Sequence, residues 1–194
     1  MKLTLIRHGK VNMTYEKAYD TASFNVAQNG YDEADIFPVP AQAADAKLRE
    51  AILPMGDAPR LKFYISTLPR TRQTLLGLYG GVPYIETPLL KEVPLVASFD
   101  TDKKIPRAIW RGLGRTQWFL NNPRQPESRN ATRARAEELV AMLEEKNEDA
   151  VLVTHEFFLY TLMNVLKHHG FHVTRPNKTR FRINNLEHIY AEKA

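Results

Sequence analysis

The strongest constraint on this chain is a repeated order: a short apolar run, then a stretch with helical spacing, then another apolar run. Lys2–Ile6, Leu61–Ile65, Val82–Ile85 and Ala150–Val153 read as strands. Pro69 opens a helix that stops at Gly80-Gly81. Ser128 caps another, whose Ala136, Leu139, Val140 and Leu143 line one face, and Phe157–Leu166 is apolar all round, as a buried helix is. From Ala41, the residues Ala44, Leu48, Ala51 and Ile52 recur at helical spacing until Pro54 and Gly56 end the pattern. Strands separated by helices join in parallel, so the expected fold is three-layer α/β, a mostly parallel sheet with helices on both faces. In such sheets ligands bind beyond the carboxyl ends of the strands. Three predicted strands deliver polar groups there: Arg7-His8, Ser66 to Arg70, and Thr154-His155-Glu156.

The remaining segments are less periodic. Val11–Pro40 reads as a long loop punctuated by Asn29-Gly30 and Pro38-Val39-Pro40. Ile105 to Leu120 suggests helical pieces interrupted by Gly112 and Gly114, and Arg180–Tyr190 alternates around Asn184-Asn185 like a terminal hairpin. A length of 194 residues fits one domain spanning 1–194. No run of about 18 apolar residues predicts a membrane span, and Arg7-His8 comes too early for a secretory signal. The chain has no cysteine, which excludes a disulfide framework, a zinc ribbon and a thiol nucleophile; the expected location is cytoplasmic, with no membrane partner.

Charge is unevenly placed. The formal net charge is +5, yet residues 103–135 hold nine basic residues against the single acid Glu127. A basic patch of this kind calls for an anionic partner, either a phosphorylated metabolite or a nucleic acid. Trp110, Trp118 and Phe119 interleave with the arginines, as in a single-strand binder or as a lid's own small core. His168, His169 and His172 cluster without a recognisable metal-ligand spacing.

Arg7-His8-Gly9 places an imidazole at a strand end where glycine lets the backbone turn sharply. Ser66 through Thr74 crowds hydroxyls and arginines onto a helix start, where free N–H groups and the dipole already favour phosphate. Arg70 adds a planar fork for two phosphate oxygens, whereas Arg72 reads equally well as part of a solvated face.

Together with Glu92 in Leu89-Leu90-Lys91-Glu92 and with Val153-Thr154-His155, these segments resemble the histidine phosphatase superfamily, the phosphoglycerate mutase-like family, in its phosphatase and mutase branch. The resemblance implies a helical lid inserted in the α/β fold, here the basic region 103–135. It implies that His8 is the nucleophile, that Arg7, Arg70 and His155 hold the phosphoryl group, and that Glu92 donates the proton. It implies no metal and no cofactor. Val11 stands where the family commonly has a hydroxyl, and Glu92 lacks the glycine and tryptophan often found after it. Glu156 stands directly after His155, where the acid phosphatase branch carries its acid, so Glu156 is the alternative proton donor. Glu127-Ser128 resembles a family segment as well, with capping as the simpler role.

The expected activity is metal-independent hydrolysis of a small phosphorylated metabolite through a phosphohistidine on His8. Two arginines and a protonated His155 would stabilise the equatorial oxygens, and a neutral His8 would attack. Phosphoglycerate mutase-type transfer on the same site is the nearest alternative. A non-catalytic nucleic-acid or phospholigand binding protein is the other, with nucleic acid the less expected partner because all four pocket residues are present. Arg107, Arg111 and Arg115 would face the pocket mouth, or else form a solvated helix face.

Overall fold

The computed structural model describes residues 1–40, 43–45, 61–176 and 182–194. The helix expected from Ala41 to Pro54 lies outside them apart from 43–45. Four parallel strands form the sheet's main body: β1 (Lys2–Arg7), β3 (Lys62–Ser66), β4 (Ile85–Thr87) and β6 (Ala150–Thr154). With β7 (His172–Thr174) and β8 (His188–Glu192) the order is β4-β3-β6-β1-β8-β7, the last two joining antiparallel. A two-strand ribbon of β2 (Ala18–Tyr19) and β5 (Ile105–Pro106) stands apart.

Alternation along the strands divides the core into two layers. Leu3, Leu5, Tyr64, Ala150 and Leu152 face α4 (Arg129–Lys146) and α5 (Glu156–His168), where Leu139, Leu143, Leu159 and Leu162 bury. Ile6, Phe63, Ile65, Val151 and Val153 face the opposite way, against Leu75 and Leu78 of α2 (Pro69–Tyr79). Side-chain period two forces this split, and each fully buried aliphatic contributes about 1.5–3 kcal/mol. Helices therefore cover both faces of a mostly parallel sheet, the expected architecture. A third cluster joins Phe24 of α1 (Thr21–Glu33) to Trp110 of α3 (Arg107–Phe119), with Tyr19, Leu95 and Ala97.

Four expectations are corrected. Val11–Pro40 is not all loop: α1 runs through Asn29-Gly30, started by a capping box in which Ser23 N–H donates to Asp20 Oδ1 at 2.8 Å. Only Phe24 is buried along α1, too little apolar surface to print a period on the sequence. Helix α3 is continuous through Gly112 and Gly114, because burial of Trp110 and Trp118 outweighs the weak helix propensity of glycine. The fourth strand is displaced to Ile85–Thr87, since Pro83 lacks the N–H a ladder needs. The tail is not a self-contained hairpin: β8 lies between β1 and β7, and the Asn185-Leu186 turn leads into it with Leu186 at φ 62°.

Candidate active site

Parallel pairing aligns Arg7 with Thr154 and Ile65 with Val153, so β1, β3 and β6 end together. His8 continues the ladder, its N–H donating to the Thr154 carbonyl at 2.9 Å. The next peptide is clamped from two sides: Gly9 N–H donates to Thr74 Oγ1 at 2.8 Å, and Asn185 Nδ2 donates to the His8 carbonyl at 2.8 Å. A Cβ on Gly9 would stand 2.8 Å from Ile36 Cδ1, so a larger residue here would push the Ile36 side chain aside.

His8 Nδ1 lies 2.7 Å from the Gly9 carbonyl. A carbonyl only accepts, so the proton sits on Nδ1 and the Nε2 lone pair is left available. The ring is 1% exposed and its centroid is 5.1 Å from that of His155. His155 follows β6 at the position just before α5; its Nδ1 accepts from Arg70 Nε at 3.1 Å, which puts its proton on Nε2. That N–H and Arg7 Nε–H are buried donors with no acceptor among the described residues. Two orphaned donors beside a free imidazole lone pair suit an anionic group.

Both imidazoles are held well below the ordinary histidine pKa. For His8 the causes are burial, then the Arg70 and Arg7 charges; for His155 they are burial, then Arg70, His8, Arg135 and Arg7. In the free site this disfavours the expected protonated His155 and leaves its Nε2–H as a neutral donor, because burial and the neighbouring arginines oppose a second cation.

The two acids sit at the start of α5 with different partners. Glu92 accepts from Val93 N at 2.9 Å, from Phe158 N at 3.1 Å and from Phe157 N at 3.3 Å, satisfying the orphan donors of the helix end. Its charge reaches Tyr31, Asp32 and Arg115. Glu156 Oε2 pairs with Arg7 Nη2 at 3.0 Å, while Arg7 Nη1 donates to the Ile183 carbonyl. Arg70 is fully buried; besides His155 it contacts Tyr31 and Asp32 at the end of α1. Sequence reading missed Tyr31 and Asp32, because no spacing along the chain announces a contact made by the end of an irregularly patterned helix, and Asn185, which a distant turn brings to His8.

The basic stretch divides. Arg124 pairs with Asp100, Arg133 with Glu137, and Arg135 with Glu127 and the Leu89 and Lys91 carbonyls. Arg129 lies over Phe119, and Lys104 reaches Glu16. Much of the apparent patch is thus internal bracing. Arg107, Arg111 and Arg115 recur every four residues on α3: Arg107 stacks 3.6 Å over Tyr15, Arg115 lies 3.8 Å over Phe157 and donates to Val93 O at 3.1 Å, and the exposed Arg111 is felt at Tyr15 and Tyr31. Trp110 Nε1 donates to Tyr19 O at 2.9 Å and Trp118 Nε1 to Thr132 Oγ1 at 2.9 Å, so both tryptophans are committed inside the protein, Trp110 in the cluster with Phe24 and Trp118 in the main core. Ser128 caps α4 through Ala131 N–H. The histidine cluster is split: His169 bridges Glu137 and Glu144 at 2.7 and 2.9 Å, whereas His172 is exposed on β7.

The model of the histidine phosphatase superfamily (branch 1) matches residues 3–189. No curated protein matches in sequence. Among solved structures, a phosphoserine phosphatase from Entamoeba histolytica, crystallised with phosphoserine, is similar with TM-score 0.57 and 17% identity, over 97% of this chain and 89% of the other. A putative alpha-ribazole-5'-P phosphatase from Escherichia coli gives TM-score 0.57 and 19% identity over 98% and 89%. A mycobacterial glucosyl-3-phosphoglycerate phosphatase gives 0.53 and 19% over 85% and 78%. At these identities the structural likeness is one of fold.

Proposed function

The chain belongs to the histidine phosphatase superfamily, branch 1, and as a phosphatase of that type it hydrolyses, we propose, a small phosphorylated metabolite through a phosphohistidine on His8. The observation that carries this reading is the pinned His8 ring: Nδ1 is committed to the Gly9 carbonyl, leaving Nε2 as a neutral nucleophile beside two orphaned donors. The similar solved structures are named for phosphoserine, alpha-ribazole phosphate and glucosyl-3-phosphoglycerate, which supports a small phosphomonoester as substrate. We place the reaction in the cytoplasm and in one domain, 1–194, with 103–135 as its lid.

His8 Nε2 attacks phosphorus, forming a P–N bond as the ester P–O bond breaks. Arg7, His155 Nε2–H and Arg70 hold the three non-bridging oxygens, supplying the charge stabilisation without a metal. Glu92 gives its proton to the leaving alkoxide. Water then attacks the phosphohistidine, Glu92 takes the water's proton, and inorganic phosphate leaves with His8 restored. Glu156 acts through Arg7, whose guanidinium it orients.

Hydrolysis of para-nitrophenyl phosphate in excess EDTA tests both assignments. We expect turnover by the native chain, none by His8→Ala, and a loss of about 10²–10⁴-fold in kcat for Glu92→Gln with an alkyl phosphate. The Glu92→Gln loss should shrink with para-nitrophenolate, which leaves without a proton. Turnover unaffected by His8→Ala sinks the mechanism, and a Glu156→Gln loss exceeding that of Glu92→Gln reassigns the acid.

A further inference from the structure

Arg70 is fully buried, and every nitrogen of its guanidinium is already engaged. Nε donates to His155 Nδ1 at 3.1 Å, Nη1 to the carbonyls of Tyr31 and Asp32 at 3.1 and 3.3 Å, and Nη2 to the Asp32 carboxylate at 3.1 Å. The Tyr31 ring lies 4.7 Å from the guanidinium carbon and its centroid is 6.4 Å from that of His8. Tyr31 and Asp32 belong to the last turn of α1, where helix carbonyls lack intrahelical donors and the dipole is negative. One carboxylate oxygen and two carbonyl oxygens thus face Arg70, an arrangement close to what a phosphoryl group presents.

We propose that the last turn of α1 is an internal stand-in for the substrate: Asp32 occupies Arg70 in the free protein, and an incoming phosphoryl group displaces it. The inference rests on the proposed role of Arg70 in holding phosphate. Geometry requires a displacement, because His8, His155 and Arg70 are 1%, 0% and 0% exposed. Phe24, near the start of α1, is its one buried residue and stacks on Trp110, whereas the last turn is held through polar contacts with Arg70 rather than by buried apolar side chains. Asn29-Gly30, poor helix formers, immediately precede the two contacting residues. The Asp32 side chain is 45% exposed and already half hydrated, while burial and the Glu92 charge raise its proton affinity against the pull of Arg70. Exchange of this kind selects by charge: a phosphoryl dianion outcompetes the resident carboxylate, whereas another carboxylate gains nothing by replacing it.

Titration calorimetry with inorganic phosphate on the full chain tests the exchange without requiring turnover. Asp32→Asn keeps the side chain's shape and removes its charge, so phosphate should bind about fivefold tighter than to the native chain. Equal or weaker binding by folded Asp32→Asn overturns the proposal and marks Asp32 as a group that only positions Arg70. Should the variant fail to fold, hydrogen exchange on the native chain decides. Saturating phosphate should speed exchange of amides 30–33 and leave the start of α1 unchanged; unchanged or slowed exchange there overturns the proposal. Para-nitrophenyl phosphate turnover is measured alongside. Tighter phosphate binding without turnover by either protein keeps the exchange and removes the phosphatase reading; turnover with unaltered phosphate affinity does the reverse.

Discussion

At the scale of single residues, burial sets the chemistry as much as residue type does. His8 and His155 are kept neutral by desolvation and by the arginines around them, which suits an attacking imidazole and a waiting N–H donor. Neither ring should titrate near 6.5, the ordinary histidine value, and NMR titration of the free protein's imidazoles checks this. The sign for stability follows. Below pH 6.5 the unfolded chain takes up protons that the folded site refuses, so stability falls on acidification from there toward the folded pKa values. Urea unfolding should become easier over that window, less so in a chain lacking both imidazoles. His8, Arg7, Arg70 and His155 were legible in sequence because strand ends carry chemistry in parallel sheets. Their protonation was not, since it depends on burial and on Arg70, which is 62 positions from His8 and 85 from His155 along the chain.

At the scale of elements, legibility followed the amount of buried apolar surface. Helices α2, α4 and α5 bury several side chains each and announced themselves; α1 buries one and did not. Helix α3 was read as broken because glycine carries a propensity cost, yet its two glycines differ in space. A Cβ on Gly112 meets nothing within 4 Å, while one on Gly114 would stand 2.4 Å from Leu95 Cδ1. Gly112→Ala should therefore stabilise by about 0.5–1 kcal/mol. Gly114→Ala should destabilise by about 1–2 kcal/mol, since Leu95 is buried beside Trp110 and must shift. Chemical denaturation of the pair measures both, and equal effects would refute the packing argument. His169, raised in pKa chiefly by Glu137 and Glu144, ties the end of α5 to α4.

At the scale of the whole molecule, the sheet gathers three strand ends together, and the arginines of α3 bring positive charge near them. Arg111 is exposed and its field reaches Tyr15 and Tyr31, so Arg111→Glu should lower kcat/KM for anionic substrates by roughly tenfold at low salt, with the difference shrinking as salt rises. Unchanged steady-state kinetics across several phosphomonoesters would remove the lid from substrate capture. Among the described residues no helix is long and apolar enough to cross a membrane. The sequence by itself determined the layered α/β architecture, the strand ends that carry Arg7, His8 and His155, and the family, because apolar period and local motifs are properties of neighbours along the chain. Tertiary structure alone decided that Arg124 pairs with Asp100, that Arg135 holds the Leu89 and Lys91 carbonyls, that Glu92 caps α5 while Glu156 holds Arg7, and that Asp32 rests on Arg70. Those are contacts between segments whose patterns are locally silent, and only the packed sheet and its helices bring such segments within hydrogen-bond reach.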